Sequence, residues 1–214
     1  TYTVEGLTTS DPAETNAGTY ENLISGNAIV RDAEGNDVTA QFIVTTTDGT
    51  LTVEKKQITL TADNANKVYG SNDPEFTASF AAGDIVDGDS INVTFVRETG
   101  ENAGTYTVTP VAADDNYDIR IVPSTLTIAP KQVTLTAADA SKTYGNADPT
   151  LTASFAAGDL VGTDYIAPIV TREAGENAGT YRISVTSANN LNYTVTYVPA
   201  TFTINQRNVT VTAD

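Results

Sequence analysis

Cysteine, histidine, methionine and tryptophan are all absent from the 214 residues. Without cysteine there is no disulfide framework, no thiolate metal site and no cysteine nucleophile. Without histidine as well, the common acid–base and nucleophile arrangements have nothing to carry them. Basic residues are scarce: 11 Lys and Arg against 27 Asp and Glu give a formal charge of −16. Such a chain repels phosphate backbones and anionic bilayers, so neither nucleic acid nor a membrane surface is expected as a partner. No apolar run approaches the ~18 residues that a spanning helix needs. Helical periodicity is thin, and no signal peptide precedes "TYTVEG", which opens in mid-pattern as if cut from something longer.

What is present is enough for small cores. Hydrophobic residues make up 40% of the chain, with 6 Phe and 10 Tyr, which sets it apart from disordered compositions. Apolar and polar residues alternate with a period of two in "QITLTA", "EFTASF", "INVTFV", "TYTVTP", "YDIRIV" and "TLTIA". That period marks half-buried strands. Six or seven short strands in each stretch of some 75 residues predict a small antiparallel sandwich.

The alternation itself recurs. "KQITLTADNANKVYGSNDPEFTASFAAGDIV" at 56–86 aligns with "KQVTLTAADASKTYGNADPTLTASFAAGDLV" at 131–161, shifted by 75 positions throughout. "GENAGTY" at 100–106 returns at 175–181, and one inserted residue then moves Tyr117/Tyr193 to a spacing of 76. Self-similarity at such a period signals repeated supersecondary units. The divisions expected are a divergent partial unit at 1–54, full copies at 55–130 and 131–205, and the first strand of a further copy at 206–214. Between "LTIA" and "QVTLT" stand only Pro130 and Lys131, with no Gly/Ser linker. Pro130 fixes its own φ and biases Ala129 towards extension, so adjacent copies are expected to hold a near-fixed angle and to form a rod.

"NAGTY" has the form of the tyrosine corner of immunoglobulin-like folds, in which a Tyr hydroxyl reaches back to upstream backbone. On that reading Tyr106 and Tyr181 anchor the corner. Gly104 and Gly179 supply the turn, and Asn102 and Asn177 bridge backbone as Asx turns. Val108 and Ile183 stand where antibody domains place a cysteine. Tyr69 and Tyr144, in "KVYGSNDP" and "KTYGNADP", are expected to cap a core while Gly and Asp-Pro shape the turn.

Taken in order, "YGSNDP" or "YGNADP", "GENAGTY" and "NY…VP…LTI" resemble the YGx-type MBG repeats of bacterial surface adhesins over residues 55–205. The resemblance implies extracellular display, tandem β-sandwich modules and a role in adhesion or biofilm scaffolds, with no catalytic residues to carry over. The fold expected is therefore all-β, with immunoglobulin-like antiparallel sandwiches set end to end. The function expected is a stalk segment, with two alternatives. One is a module that grips a host or community glycan or protein through the variable loops 84–92 and 159–167. The other is self-association into a filament, a strand from another chain completing the half-domain at 1–54.

Three clusters are weighed for chemistry. Asp84, Asp87 and Asp89 in "GDIVDGDS" are the candidate calcium ligands, since calcium takes six to eight oxygens; the second copy reads "GDLVGTDY" there, which favours turn-forming Asp. Glu98/Glu101 beside Arg97, repeated as Glu173/Glu176 beside Arg172, read as solvated strand edges rather than as a carboxylate pair at work. Lys56 and Lys131 are conceivable donors of an isopeptide staple, but no matched Asn and acid accompany them.

Overall fold

The alternating segments become strands almost wherever they occur. In the computed structural model, which describes residues 1–213, the chain is nearly all β. Among the described residues the helical content is one 3₁₀ turn, Thr39–Gln41. Segment 1–54 holds β1 (Thr3–Thr9), β2 (Gly18–Asn22), β3 (Ile24–Arg31) and β4 (Gly49–Val53). β1 pairs antiparallel with β3 and β2 with β4, as two two-stranded sheets.

The first copy holds β5 (Lys56–Ala62), β6 (Ala65–Val68), β7 (Ala78–Phe80), β8 (Thr94–Arg97), β9 (Gly104–Val111), β10 (Tyr117–Val122) and β11 (Ser124–Ala129). The second repeats the set as β12 (Lys131–Ala137), β13 (Ala140–Thr143), β14 (Ala153–Phe155), β15 (Pro168–Arg172), β16 (Gly179–Ser187), β17 (Tyr193–Val198) and β18 (Ala200–Asn205). Each copy forms a three-stranded and a four-stranded sheet, ordered β10-β5-β7 with β6-β11-β9-β8 and β14-β12-β17 with β13-β18-β16-β15.

The sheets are mixed, which corrects the expectation of purely antiparallel pairing. β12 lies parallel to β17 from Lys131↔Tyr193 to Thr136↔Val198, and β13 lies parallel to β18 from Ala140↔Phe202. The chain path β12–β13 thus runs beside the path β17–β18 in both sheets. Alternation sets which side chains point inward and is blind to strand direction. The short strands β6 and β13, which lie in none of the alternating segments picked out from the sequence, are the second half of that shared path.

In the second copy Leu135 and Ala137 from β12, Ile183 and Val185 from β16, and Phe202 and Ile204 from β18 form one buried cluster. Every second residue of these strands is inside, as the period of two requires. In the first copy the matching residues Leu60, Ala62, Val108, Pro110, Leu126 and Ile128 are likewise buried. Val108 and Ile183 are both fully enclosed.

Segment 1–54 differs: of the buried hydrophobic residues only Val30 belongs to it, while Ile43 is 95% exposed. Residues 206–213, expected as a strand, carry none; Val209 and Val211 lie open, and Asp214 is outside the described residues.

The chain divides into two compact units. One comprises Thr1–Ala62, Ala78–Val96 and Thr109–Val122; the other comprises Asp63–Thr77, Arg97–Val108 and the chain from Pro123 onward. The division passes through the first copy, so each unit contains one junction between consecutive repeats.

Candidate functional site

The repeated heptapeptide is built around its tyrosine. The Tyr106 hydroxyl donates to the Asn102 carbonyl at 2.9 Å, Tyr181 to Asn177 at 2.9 Å and, in the divergent segment, Tyr20 to Asn16 at 2.9 Å. Both glycines of the heptapeptide are required. A Cβ on Gly100 or Gly175 would stand 2.2 or 2.1 Å from the ring of Tyr106 or Tyr181. Gly104 and Gly179, expected to supply the turn, have φ of +157° and +155° at the start of β9 and β16, where a side chain would meet open space but the backbone would be strained.

The charged residues around that ring form a closed cluster. The Arg97 guanidinium lies 5.6 Å from the Tyr106 ring centre and donates to the carbonyls of Glu98 and Gly100 at 2.8 and 2.6 Å. Its Nε meets Asp73 at 2.6 Å. Asp73 also holds Lys67 at 2.7 Å, and Glu101 bonds both Lys67 and Arg97. The second copy repeats every partner: Arg172 to Asp148 at 2.6 Å and to Glu176 at 2.6 Å, Lys142 to Asp148 at 2.7 Å and to Glu176. Arg172 additionally lies 4.8 Å from the Phe202 ring.

The expectation of a solvated edge holds for Glu101 and Glu176, whose side chains are 64% and 69% exposed, and is corrected for the cations they meet. Side-chain exposure is 15% for Arg97, 11% for Arg172 and 4% for both lysines. Each lysine takes an inward register position on β6 or β13, and a buried cation brings carboxylates with it. The Asp of "YGxxDP" is therefore an ion-pair partner as well as a turn residue. Lys56 and Lys131, in contrast, donate to the carbonyls of Gly83 and Gly158 at 2.8 and 3.1 Å.

These contacts shift titration. Hydrogen bonds from Arg172 and then Lys142 hold Asp148 down to about 2, against an ordinary 3.8. Lys67 and then Arg97 lower Asp73 in the same way, against a cost of burial. Burial opposes the charge of Lys67, but Asp73 and Glu101 together outweigh it and raise its pKa. A depressed carboxylate contributes stability that is complete above its unfolded pKa and is lost as pH falls through the folded one. The melting temperature is accordingly expected to hold down to about pH 4 and to fall between there and about pH 2. Asp148→Asn should lower the neutral-pH plateau and shrink the acid fall. Melting curves across that range check this, and an unchanged acid profile in the variant contradicts it.

The joint between the two copies lies inside one compact unit and has two contacts. In the first, Asn192, just before β17, accepts the backbone N–H of Ala103 at 2.8 Å through Oδ1 and donates through Nδ2 to Asn102 Oδ1 at 3.0 Å. Asn102, expected to bridge its own backbone, is instead half of a clasp between copies. The same clasp occurs at the earlier junction. Asn116 accepts the N–H of Ala17 at 2.8 Å and donates to Asn16 at 3.1 Å.

In the second contact, Tyr69 at the end of β6 enters a socket of the next copy. Its hydroxyl donates to Asp164 at 2.9 Å, the Tyr193 hydroxyl donates to the same carboxylate oxygen at 2.6 Å, and the two rings meet edge to face at 5.4 Å. The Val161 N–H closes the socket by donating to the Tyr193 hydroxyl at 2.7 Å. Tyr193, Val133 and Ile166 are buried there, with Tyr69 and Val161 packed against them. Tyr69 thus caps the neighbouring copy rather than its own core, and Tyr144, its equivalent in the second copy, is 49% exposed.

The earlier junction has the same socket without the tyrosine. Tyr117 donates to Asp89 at 2.6 Å and accepts from the Val86 N–H at 3.0 Å. Segment 1–54 has no "YG" loop, and a cavity of about 350 Å³ lined by Thr15, Asn16, Glu54, Val86, Asp89 and Tyr117 stands beside it. This accounts for the aspartates singled out from sequence. Asp89 serves the tyrosine, Asp84 accepts weakly from the Thr59 N–H at 3.5 Å and lines a different pocket, and Asp87 lies beside Asp89. The three are not brought together as calcium ligands. Among the described residues no three acidic side chains gather in an arrangement that could hold a metal.

A family model for the MBG domain (YGX type) matches residues 58–127 and again 133–203, more than half of the chain. The chain belongs to the MBG family. Its two MBG copies cover the tandem repeat, and repeats of this type are a non-enzymatic domain type typical of surface proteins. A search of curated proteins gives no match. Among the described residues no helix is long and apolar enough to cross a membrane. The tyrosine hydroxyl bonds and the glycines were signalled by the repeated heptapeptide. The lysines, Asn192 and Asp164 were missed, and their only sequence signal was a fixed place relative to "YG" and "NY" in each copy.

Proposed function

We propose that the chain is a stalk segment of a large secreted or cell-surface bacterial adhesin, extending an adhesive tip or a biofilm scaffold from the cell. The observation that carries this reading is the joint. One residue, Pro130, separates β11 from β12, and the flanking copies are tied by the Asn102–Asn192 clasp and by Tyr69 in the Tyr193–Asp164 socket. A chain built only to link independent modules needs none of these contacts. The clasp, the socket and the short connection suit a role in which each copy transmits orientation to the next.

The test is a distance distribution across the joint, from spin labels on exposed strand positions of the two copies in the whole chain. The expected result is one narrow distribution that broadens when Asn192→Ala removes the partner of the Ala103 N–H. Leaving such a donor unpaired costs about 1–3 kcal/mol, enough to populate an open joint. A broad distribution in the unaltered chain defeats the reading. A second reading, ligand binding through the variable loops, is favoured by Tyr165 in loop 159–167, which is 78% exposed. Glycan and protein arrays test it, and a blank array removes it.

A further inference from the structure

The second copy is joined to its flanking chain at two points. Pro130 leads into β12 at Lys131, and β18 ends at Asn205. Tension along the chain therefore enters this copy at Lys131 and leaves it at Asn205. The pairing between those points decides how the copy resists.

Two stretches of backbone run side by side there. The path Lys131–Thr143, through β12 and β13, lies parallel to the path Tyr193–Asn205, through β17 and β18. Lys131 faces Tyr193 at one end, and Thr143 faces Asn205 at the other. The Lys131 N–H donates to the Asn192 carbonyl at 2.9 Å, and the Tyr144 N–H donates to the Asn205 carbonyl at 2.9 Å. Where the paths cross from one sheet to the other, Pro199 has no N–H to give the ladder. Asp139 fills the gap by accepting the Thr201 N–H at 2.7 Å. The first copy is bonded alike, with β5 parallel to β10, β6 parallel to β11, and Asn64 accepting the Thr125 N–H at 3.0 Å.

Because the paths are parallel, the two loaded residues lie at opposite ends of the ladder. Pulling Lys131 and Asn205 apart slides one path along the other and strains every bond between them at once. In an antiparallel hairpin the loaded ends are neighbours, and the bonds open one after another. A slip of one residue would also turn Leu135 and Phe202, both fully buried, out of the core.

We propose that each MBG copy is a shear clamp that carries tension along the chain, its grip being the paired parallel paths, closed at the crossing by Asp139 or Asn64. The proposal rests on the stalk reading for the source of the tension, and on the strand pairing alone for the response to it. Such a clamp acts on the barrier to forced unfolding, which sets lifetime under load.

The test is force spectroscopy on the whole chain, which has no cysteine of its own and so takes handles only where one is introduced. Gln132→Cys with Asn205→Cys loads the clamp in shear. Gln132→Cys with Thr194→Cys peels it, since these residues face each other at one end. In shear the copy should open in one step, gaining up to about 240–260 Å at ~3.3–3.6 Å per residue. At equal force it should last at least about tenfold longer than in the peeling pair, because more than one ordinary bond must yield together. Asp139→Ala should shorten the shear lifetime about fivefold, the effect of one net hydrogen bond. It should leave the peeling lifetime unchanged, since peeling starts at the far end. Asp139→Asn, which copies Asn64 of the first repeat, should keep the shear lifetime. Equal lifetimes in the two directions overturn the proposal. So does an Asp139→Ala variant that loses lifetime equally in both, or in neither. The spin-label distances are read across the joint without load, and both handles here lie within one copy, so a loose joint and a weak clamp are told apart.

Discussion

Phe202→Ala is expected to remove about 3–5 kcal/mol from the stability of the second MBG copy, the range for truncating a fully buried Phe. The ring is completely enclosed among Leu135, Ile183, Val185 and Ile204. It also carries the Arg172 guanidinium at 4.8 Å, a cation–ring contact that adds about 0.5–2 kcal/mol according to its desolvation. At ~0.05–0.15 kcal/mol per residue, a unit of this size has only about 4–11 kcal/mol in all. The variant should therefore sit close to its unfolding transition at room temperature, with a strong drop in urea midpoint for probes on β12, β16 and β18. A loss under about 1 kcal/mol would show that the strands close over the gap, against the close packing expected of a protein interior.

The same substitution should reach the charged cluster. Arg172 loses one face of its support while Asp148 and Glu176 keep their bonds to it, so the guanidinium gains freedom without losing its salt bridges. Leu126 occupies the equivalent position in the first copy, facing Tyr106 as Phe202 faces Tyr181. Arg97 contacts the Tyr106 ring there. Leu126→Ala should cost about 2–5 kcal/mol on the same grounds.

How much of this was legible in the sequence follows from what a linear pattern encodes. Ile58, Leu60, Val133 and Leu135 declared their burial through a period of two, because each strand residue faces one side of its own sheet. The tyrosine of "NAGTY" declared its hydroxyl bond because the partner is four residues away. Strand direction was invisible, since the same alternation serves parallel and antiparallel neighbours. Lys67 and Lys142 were not singled out, because a lone lysine on a four-residue strand carries no period. Their partners Asp73 and Asp148, Glu101 and Glu176 lie in separate motifs that only the fold brings together. The clasp and the socket were hidden for the same reason: Asn192 and Asp164 serve residues of another copy, some 90 positions away in the chain. Gly104 was legible because it stands two residues before the tyrosine, whereas the need for Gly100 arises from the ring it meets in space.

Gly70→Ala is expected to open the joint while both copies stay folded. Gly70 has φ +84°, where an alanine costs about 1–2 kcal/mol. Its new Cβ would stand 2.4 Å from Cγ2 of Val161 in the neighbouring copy, and relieving such overpacking costs about 1–3 kcal/mol more. Tyr69 is the adjacent residue, so backing Gly70 away from Val161 withdraws the tyrosine from its socket. Gly145 separates the two costs, because it has φ +86° at the same place in the second copy and a Cβ there meets only the mobile tip of Arg207 at 3.3 Å. Gly145→Ala should lower stability through backbone strain and leave the joint closed. Alkaline titration reports the difference. The bond to Asp164, and then burial, raises the Tyr69 pKa; burial, and then the same carboxylate, pushes Tyr193 up to about 12. A raised tyrosine pKa contributes stability that is complete below the ordinary 10.0 and is lost as pH rises to about 12. In the closed joint, therefore, two phenols should ionise late and the joint should loosen over that window. In Gly70→Ala the Tyr69 phenol should return to the ordinary range and Tyr193 should move towards it. In Gly145→Ala both should titrate as in the unaltered chain. Equal titration curves for the two variants would mean that the contact with Val161 does not hold the copies together, and the account of the joint would fail with it.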